Sequence, residues 1–287
     1  MKIVSEDNNI QSIDAVVTSY NESPDQIERT IASLLLQTIH IHTIFLVDDC
    51  SYPKLEIPLM DYGETCIKLI QNPVNLGISN SRNKAIEQSD ANYIICLNIE
   101  VELKPEWLER TRKHLVDNPS SGCVFTQIEP IRNSIFSQWR FRFQEQKQPE
   151  VSGPFFMAPG HAVLFRRRDI ISCGGYSPAL KRIGEDFQVS RALKNIGLDS
   201  YYLNSSLAIS HQNDTLSSLA RKQLIRLIGN NPATYSRSSF FNIITRDFLN
   251  RFFRNGIRFR WYFLMIDLGI FGVLLGNCFT RNYQKWL

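Results

Sequence analysis

Several common signatures are missing from this sequence of 287 residues, and each absence argues against a class of protein. None of its six cysteines forms a CxxC pair, which argues against a zinc ribbon or a thioredoxin-type site. No GxGxxG follows the first strand-like segment, which argues against a dinucleotide-dependent oxidoreductase. Charged residues make up 21% of the chain and apolar residues 43%, proportions that exclude a wholly disordered chain and a protein with many membrane spans.

Charge is present in ordinary amount but is unevenly distributed. The net charge of +4 is too small to indicate a nucleic-acid-binding protein on its own. Residues 1–215 carry 21 basic and 26 acidic side chains, whereas residues 216–287 carry 11 and 2. A basic segment that follows an acidic body predicts a polyanionic partner for that segment, such as a membrane surface or a nucleic acid.

The start of the chain and its cysteines favour a cytoplasmic protein. The first twelve residues are polar and lack the apolar core of a signal peptide. Cys96 and Cys123 lie in apolar runs, where we expect buried free thiols of the kind that persist in a reducing compartment.

Apolar segments alternate with helical patterns along the first hundred residues. Residues 13–18, 44–47, 67–70 and 93–97 predict strands, and helices are predicted from Ser23-Pro24 onward and over 79–88. This alternation is typical of a mostly parallel sheet covered by helices on both faces. Further along we predict helices over 105–116 and 185–196 and strands over 123–128, 162–165, 201–203 and 207–210.

Polar side chains follow three of the predicted strands. They occupy residues 18–22, 48–51 and 98–100. Because ligands of such sheets bind beyond the carboxyl ends of the strands, three polar strand ends in sequence predict a binding site. A single such end would be ordinary turn and cap chemistry.

The order of these segments resembles the family 2 inverting glycosyltransferases of GT-A fold, over residues 12–215. The matching segments are Val16 to Glu22, Leu46 to Ser51, Asn75-Leu76-Gly77 with Arg82-Asn83, Asn98-Ile99-Glu100, Pro105 to Leu108, Gly160-His161-Ala162 through Phe165-Arg166-Arg167, Gly174-Gly175-Tyr176, Gly184-Glu185-Asp186 and His211. The resemblance implies an α/β GT-A domain with a nucleotide-sugar-binding half at 12–104 and an acceptor-binding half at 105–215. A basic helical segment at 216–287 would follow.

The resemblance also implies a reaction. A sugar would pass from a nucleoside-diphosphate donor to a hydroxyl acceptor, a surface polysaccharide or a lipid-linked glycan, with inversion at the anomeric carbon. The matching position for the catalytic base is Asp186, and Glu185 would orient the acceptor or its loop. Gly160 and His161 would form the floor between donor and acceptor.

The same resemblance implies which residues bind the donor. Arg82 is a candidate phosphate ligand because guanidinium binds phosphate through two hydrogen bonds, and a solvated helix residue is its alternative interpretation. A carboxylate such as Asp49 can accept a hydrogen bond from a base or a ribose hydroxyl. The full set of expected donor-binding residues is Thr18, Tyr20, Asn21, Glu22, Asp49, Arg82 and Asn98.

A divalent metal, Mg²⁺ or Mn²⁺, is expected with one reservation drawn from the sequence. Relatives carry Asp-x-Asp where this chain has Asn98-Ile99-Glu100. Glu100 can supply a carboxylate oxygen to the metal, whereas Asn98 removes one negative charge and should weaken binding. His211 is a further candidate metal ligand, or else a hydrogen-bonded loop histidine.

The basic segment predicts contact with an anionic membrane surface at the cytoplasmic face. Nine basic residues lie among aromatic ones over 216–260, and an apolar stretch over 261–279 is interrupted by Asp267. An Asp at the centre of a membrane span costs about 2.5–3.5 kcal/mol, so a helix lying along the surface fits better than a span. Packing on the body of the protein or on a second subunit is the alternative.

Two other functions compete with transfer. A catalytically inactive relative that binds a nucleotide or a glycan is favoured by Asn98 and disfavoured by Asp186 and Glu100. Binding of nucleic acid by the basic segment is possible on charge alone but is not expected.

Overall fold

The computed structural model describes residues 12–58, 60–131, 134–143, 149–180, 183–212, 214–229, 237–257 and 261–279. Its strands are β1 (Ile13–Ser19), β2 (Thr43–Asp48), β3 (Cys66–Gln71), β4 (Tyr93–Asn98), β5 (Val101–Leu103), β6 (Ser121–Pro130), β7 (Gly153–Phe155), β8 (Ala162–Arg166) and β9 (Asp199–Ser210). Its helices are α1 (Pro24–Leu35), α2 (Ile78–Gln88), α3 (Trp107–Asp117), α4 (Ile135–Phe143), α5 (Arg167–Ser172), α6 (Glu185–Asn195), α7 (Leu216–Ile228), α8 (Arg237–Ile257) and α9 (Trp261–Phe279).

The first half of the chain forms the predicted parallel sheet. Strands β3, β2, β1 and β4 lie side by side in that order and run parallel. Buried apolar residues on both faces of β1, β2 and β4 contact helices, which is why these strands are continuous apolar runs. Helix α1 begins at Pro24 after a capping box between Ser23 and Gln26, as the sequence predicts.

Parallel pairing places the polar strand ends together. Thr18 at the end of β1 pairs with Asn98 of β4 on one side and Val47 of β2 on the other. Ser19 pairs with Asp48 in the same register. The polar segments that follow these strands therefore share one edge of the sheet.

The second half completes the sheet with mixed strand directions, in the order β4-β8-β6-β9-β5, and β7 pairs with β9. The prediction of two short strands over 201–203 and 207–210 is wrong: both belong to β9, which pairs with β6 across register shifts near Thr126 and Gln127. Because a β-bulge interrupts the alternation of inward- and outward-facing residues, the sequence pattern indicates two short strands where the structure has one long strand. Helix α3 begins at Trp107, two residues after Pro105.

The C-terminal helices α7, α8 and α9 pack on α4 around an apolar core of their own, which we call the helical cluster. Trp139 of α4 is fully buried in it. The other buried members are Leu219, Ala220, Leu224, Phe240, Ile244, Ile266, Ile270 and Leu274. Among the helices that the structure describes, none combines the length and apolarity that spanning a membrane requires.

Asp267 is accounted for within the helical cluster. Its carboxylate is fully buried, accepts a hydrogen bond from the Trp139 indole Nε1 at 3.2 Å, and lies 3.5 Å from Arg251 Nε. Arg251 also contacts Asp247 at 2.8 Å. A buried charge is tolerated when it is paired in this way, so Asp267 reflects packing on the body of the protein, the alternative that its sequence context left open.

Candidate active site

Two cavities open at the edge where β1, β2 and β4 end. The first has a volume of about 500 Å³, and the predicted site residues among its lining are Thr18, Tyr20, Glu22, Asp49, Asn98 and Glu100. The second has a volume of about 460 Å³ and is lined by Glu100, His161, Glu185 and Asp186. Glu100 lines both, so the two cavities meet at this residue.

Asp49 shapes the wall of the first cavity. Its carboxylate accepts hydrogen bonds from the backbone N–H groups of Leu76 and Gly77, each at 2.8 Å, and from the Asn72 amide at 2.9 Å. These bonds fix the loop that leads into α2, where Gly77 adopts a φ of 82°. The side chain that was predicted to contact the donor thus also holds the backbone beside it.

Tyr20 and Asn21 form the rim beyond β1. Tyr20 lines the first cavity and remains half-exposed. Asn21 has a φ of 58°, and its backbone N–H donates to Ser51 Oγ while its side-chain oxygen accepts from the Tyr52 N–H. Asn21 therefore joins the loops after β1 and β2 and positions Tyr20.

Arg82 lies beneath the floor between the cavities. Its guanidinium is fully buried, donates to Asn98 Oδ1 at 2.8 Å and to the Gly160 carbonyl, and stacks 5.0 Å from the Tyr176 ring centre. The interpretation of Arg82 as a solvated helix residue is wrong, because its neighbours enclose it completely. The guanidinium lines neither of the two cavities, so its contact with a phosphate stays a prediction. The guanidinium joins Asn98 of β4 to the loop before β8.

Asp186 lines the second cavity and lies next to the buried Arg82. Its Oδ1 lies 3.6 Å from Arg82 Nη1, and neither atom has a hydrogen-bond partner among the described residues. A Cβ atom on Gly160 would overlap Asp186 Oδ1 and lie 2.8 Å from Arg82 Nη1. The backbone at Gly160 thus packs directly on the carboxylate and holds it at the start of α6, beside a permanent positive charge.

Glu100 is held as a carboxylate at the junction of the cavities. Burial opposes its ionisation, but a hydrogen bond and positive charge from His161, with a further contribution from Lys222, lower the pKa of Glu100 to about 2. His161 Nδ1 lies 3.8 Å from Glu100 Oε1, and Asn98 Nδ2 donates to the same oxygen at 3.3 Å. Burial and the charge of Glu100 in turn raise the pKa of Glu22 in the first cavity.

His211 has a partner other than Glu100. Its Nε2 lies 2.6 Å from the Glu102 carboxylate, and its backbone N–H donates to the Glu100 carbonyl at 2.8 Å. Within the described parts of the chain, no three His, Cys, Asp or Glu side chains are grouped so that they could hold a metal ion.

Helix α7 supplies residues that the sequence did not assign to the site. Arg221 and Ile225 line the first cavity, and Lys222, Ile225 and Arg226 line the second. The helix begins after a capping box at Thr215, and Lys222 and Arg226 are four residues apart, so they share one face. The four-residue spacing of these two basic side chains indicates a shared helix face. The sequence alone does not connect that face with the site, because its charge pattern sets residues 216–287 apart as a separate basic segment.

Glu185 should make the stability of the protein depend on pH. Burial and the neighbouring Asp186 carboxylate raise the pKa of Glu185 to about 7, against the opposing charge of Arg82. Between the ordinary glutamate pKa of 4.5 and a pKa of about 7, the unfolded chain releases this proton while the folded chain retains it, so stability falls as pH rises through that window. From pH 5 to pH 8 we expect the Tm of the parent to fall by about 5 °C more than that of Glu185→Gln. Parallel Tm curves for the two proteins would contradict this prediction.

Known proteins resemble this chain in sequence and in fold. The family model described as glycosyl transferase family 2 matches residues 14–174. An uncharacterized glycosyltransferase from Methanocaldococcus jannaschii is 26% identical over 147 residues, which cover 50% of this chain and 51% of the relative. Hyaluronan synthase from Streptococcus pyogenes is 30% identical over 177 residues, covering 55% of this chain and 41% of that protein. This chain spans about half the length of these curated relatives, or less.

One solved structure superposes on most of this chain. Mannosyltransferase PcManGT from Pyrobaculum calidifontis, in complex with GDP-Man and Mn²⁺, superposes with a TM-score of 0.56 at 13% identity. The superposition covers 96% of this chain and 83% of that structure. At this identity the likeness establishes the fold, and the predicted GT-A architecture with C-terminal helices is confirmed.

Proposed function

Because this chain belongs to glycosyl transferase family 2, we propose that it transfers a sugar from a nucleoside-diphosphate donor to a hydroxyl acceptor with inversion at the anomeric carbon. The first cavity takes the nucleotide, and the second takes the sugar and the acceptor. The single observation that carries the proposal is the placement of Asp186, held against Gly160 and 3.6 Å from Arg82, in a cavity that joins the first at Glu100.

The proposed step is a direct displacement. The Asp186 carboxylate accepts the proton of the acceptor hydroxyl as its oxygen forms a bond to the anomeric carbon. The bond from that carbon to the diphosphate oxygen breaks, and its electron pair leaves with the nucleoside diphosphate. Attack from the side opposite the leaving group inverts the anomeric configuration. The acceptor class that we propose is a growing polysaccharide or a lipid-linked glycan.

The residues at the junction fit a divalent ion that is shared with the donor. Mg²⁺ is commonly bound by one or two carboxylates together with substrate phosphates, and Glu100 supplies one ionised carboxylate. The Asn98 oxygen already accepts from Arg82, so it is a poor second ligand. His211, engaged by Glu102, would have to release that carboxylate in order to bind a metal. When bound, the ion would neutralise negative charge on the departing diphosphate.

Substitutions at the junction should change the response to metal. The Asn98 amide nitrogen lies 3.3 Å from Glu100 Oε1, and in Asn98→Asp a carboxylate oxygen takes its place. Two carboxylates at that distance attract a divalent cation, so we expect half-maximal activity at an Mn²⁺ concentration about tenfold lower. Glu100→Gln should raise that concentration or abolish activity. If EDTA leaves the parent active and neither variant shifts the Mn²⁺ titration, the junction is not a metal site.

Release of nucleoside diphosphate tests the proposed function. The parent is incubated with a panel of UDP- and GDP-sugars, with Mn²⁺ or Mg²⁺, with and without glycan and lipid-linked acceptors. We expect one donor to be turned over, faster when a suitable acceptor is present. Binding of a donor without turnover under any condition would instead identify an inactive relative that binds nucleotides.

We further propose that the protein is cytoplasmic and contacts an anionic membrane through the outer surface of α8 and α9. The exposed apolar side chains there are Phe241, Leu249, Phe253, Met265 and Leu268. The segment from residue 216 onward has nine more basic than acidic side chains, and of its basic residues Arg221, Lys222 and Arg226 line the cavities while Arg251 is buried. Apolar side chains on a basic helical surface are typical of peripheral membrane binding.

Vesicle flotation tests this contact. Binding of the parent to vesicles with anionic lipid should weaken with salt without vanishing, because burial of Phe253 and Met265 is not screened. Replacing both with Glu should abolish binding and leave donor turnover intact. Val116→Glu, at an exposed apolar residue of α3, is the matched control and should bind as the parent does. A parent that ignores the vesicles at low salt would contradict the proposal.

A further inference from the structure

Helix α7 brings one lysine to the wall of the second cavity. Lys222 lines the second cavity together with Glu100, His161 and Asp186. Its Nζ lies 3.3 Å from Asp214 Oδ1, and the charge of Lys222 acts on Glu100. Lys222 is therefore a cation on the wall of the second cavity, bonded to Asp214, and its charge reaches Glu100, which lines both cavities.

A donor diphosphate near Glu100 would need more positive charge than the residues described so far supply, and Lys222 can supply it. A nucleoside diphosphate would bring negative charge beside Glu100, Glu185 and Asp186, which are acidic already. The nearby guanidinium of Arg82 is buried beneath the floor and is bonded to Asn98 and Gly160. Because Asn98 is neutral, a metal ion would have only the Glu100 carboxylate from this strand end. A second cation is needed, and α7 supplies Arg221 to the first cavity and Lys222 and Arg226 to the second; among these, the charge of Lys222 acts on Glu100.

The fold around Lys222 does not depend on its charge. Asp214 is paired more closely with the buried Arg140, whose Nε lies 2.6 Å from Asp214 Oδ2. Arg140 Nη2 also donates to Ser210 Oγ at 3.3 Å. Loss of the Lys222 amine would therefore leave the Asp214 carboxylate with a strong partner.

We propose that Lys222 binds the diphosphate of the donor and stabilises the negative charge that develops on the leaving group. The inference rests on the proposed function, since it assigns a residue to that same site. It makes α7 a part of the catalytic domain, so a boundary placed at residue 215 would divide the site. A primary ammonium can donate up to three hydrogen bonds, so Lys222 can contact a diphosphate oxygen while it stays bonded to Asp214.

Binding and kinetics of Lys222→Met and Lys222→Arg test the inference. Calorimetric titrations use UDP or GDP, according to the donor that the parent turns over, and the matching nucleoside without phosphate. For Lys222→Met we expect diphosphate binding to weaken about tenfold or more and nucleoside binding to stay unchanged, with a lower kcat for transfer. Lys222→Arg should recover most of the diphosphate affinity. Lys113→Met, at an exposed lysine of α3, is the control and should match the parent.

The outcomes separate this inference from the proposed function. If the parent binds diphosphate and transfers sugar while Lys222→Met does the same equally well, the inference is wrong and the function stands. If Lys222→Met loses nucleoside and diphosphate affinity to the same extent, Lys222 has a structural role and the inference is again wrong. If the parent binds no nucleoside diphosphate, both fail.

Discussion

Asp186→Asn should reduce sugar transfer by about 10²–10⁴-fold, the usual contribution of a general base. The amide has nearly the shape of the carboxylate, so the contact with Gly160 and the position of α6 are retained. It cannot accept the proton of the acceptor hydroxyl at neutral pH. Donor affinity, measured by calorimetry, should remain within about twofold of the parent, because the loss falls on the transition state alone.

Substitution of a surface carboxylate is the control for Asp186→Asn. Asp199 pairs with Lys194 at 2.6 Å on the outside of the protein, and Asp199→Asn should leave transfer unchanged. Equal transfer rates for Asp186→Asn and the parent would remove Asp186 from the mechanism. A loss of donor binding together with activity would mean that the residue holds the donor.

Gly160→Ala should also lower kcat severely, by about 10²-fold or more, because the substitution displaces the groups beside residue 160. The new methyl group would overlap Asp186 Oδ1 and crowd Arg82 Nη1 at 2.8 Å. Arg82 is enclosed on all sides and cannot retreat, so the carboxylate must leave its position. We expect kcat to fall far more than donor affinity, as measured in initial-rate assays over a range of donor concentrations.

Gly153→Ala is the matched control for this substitution. A Cβ atom at Gly153 meets nothing within 4 Å, so a methyl group there should leave kcat unchanged. Full activity of Gly160→Ala would show that the contact between Gly160 and Asp186 does not set the catalytic geometry.

The parallel half of the fold could be predicted from the sequence because local and long-range signals agree there. The apolar runs at 13–18, 44–47 and 93–97 are long enough to be buried on both faces, and capping residues mark the start of α1. Polar residues at the ends of these strands then had to meet at one edge. Thr18, Asp49 and Glu100 were recognised for that reason.

Other features depend on contacts between distant residues and left no local pattern. Arg82 has an ordinary helical neighbourhood in sequence, and only the packing of Tyr176, Asn98 and Gly160 around it explains its burial. Asp267 interrupts an apolar stretch of the sequence, and its burial is explained by the contacts that Arg251 and Trp139 make with it in the folded chain. The role of α7 in the site was missed because its charge was interpreted apart from the fold.

Proton NMR of the first sugar released or transferred by the parent tests the central claim most directly. The anomeric configuration is read from an α-linked donor at early times, before free sugar equilibrates, with Asp186→Asn as the inactive comparison. Direct displacement assisted by Asp186 predicts that the β-anomer forms first and that Asp186→Asn forms almost none. Initial formation of the α-anomer, or β-anomer formed at the parent's rate by Asp186→Asn, would contradict displacement assisted by Asp186.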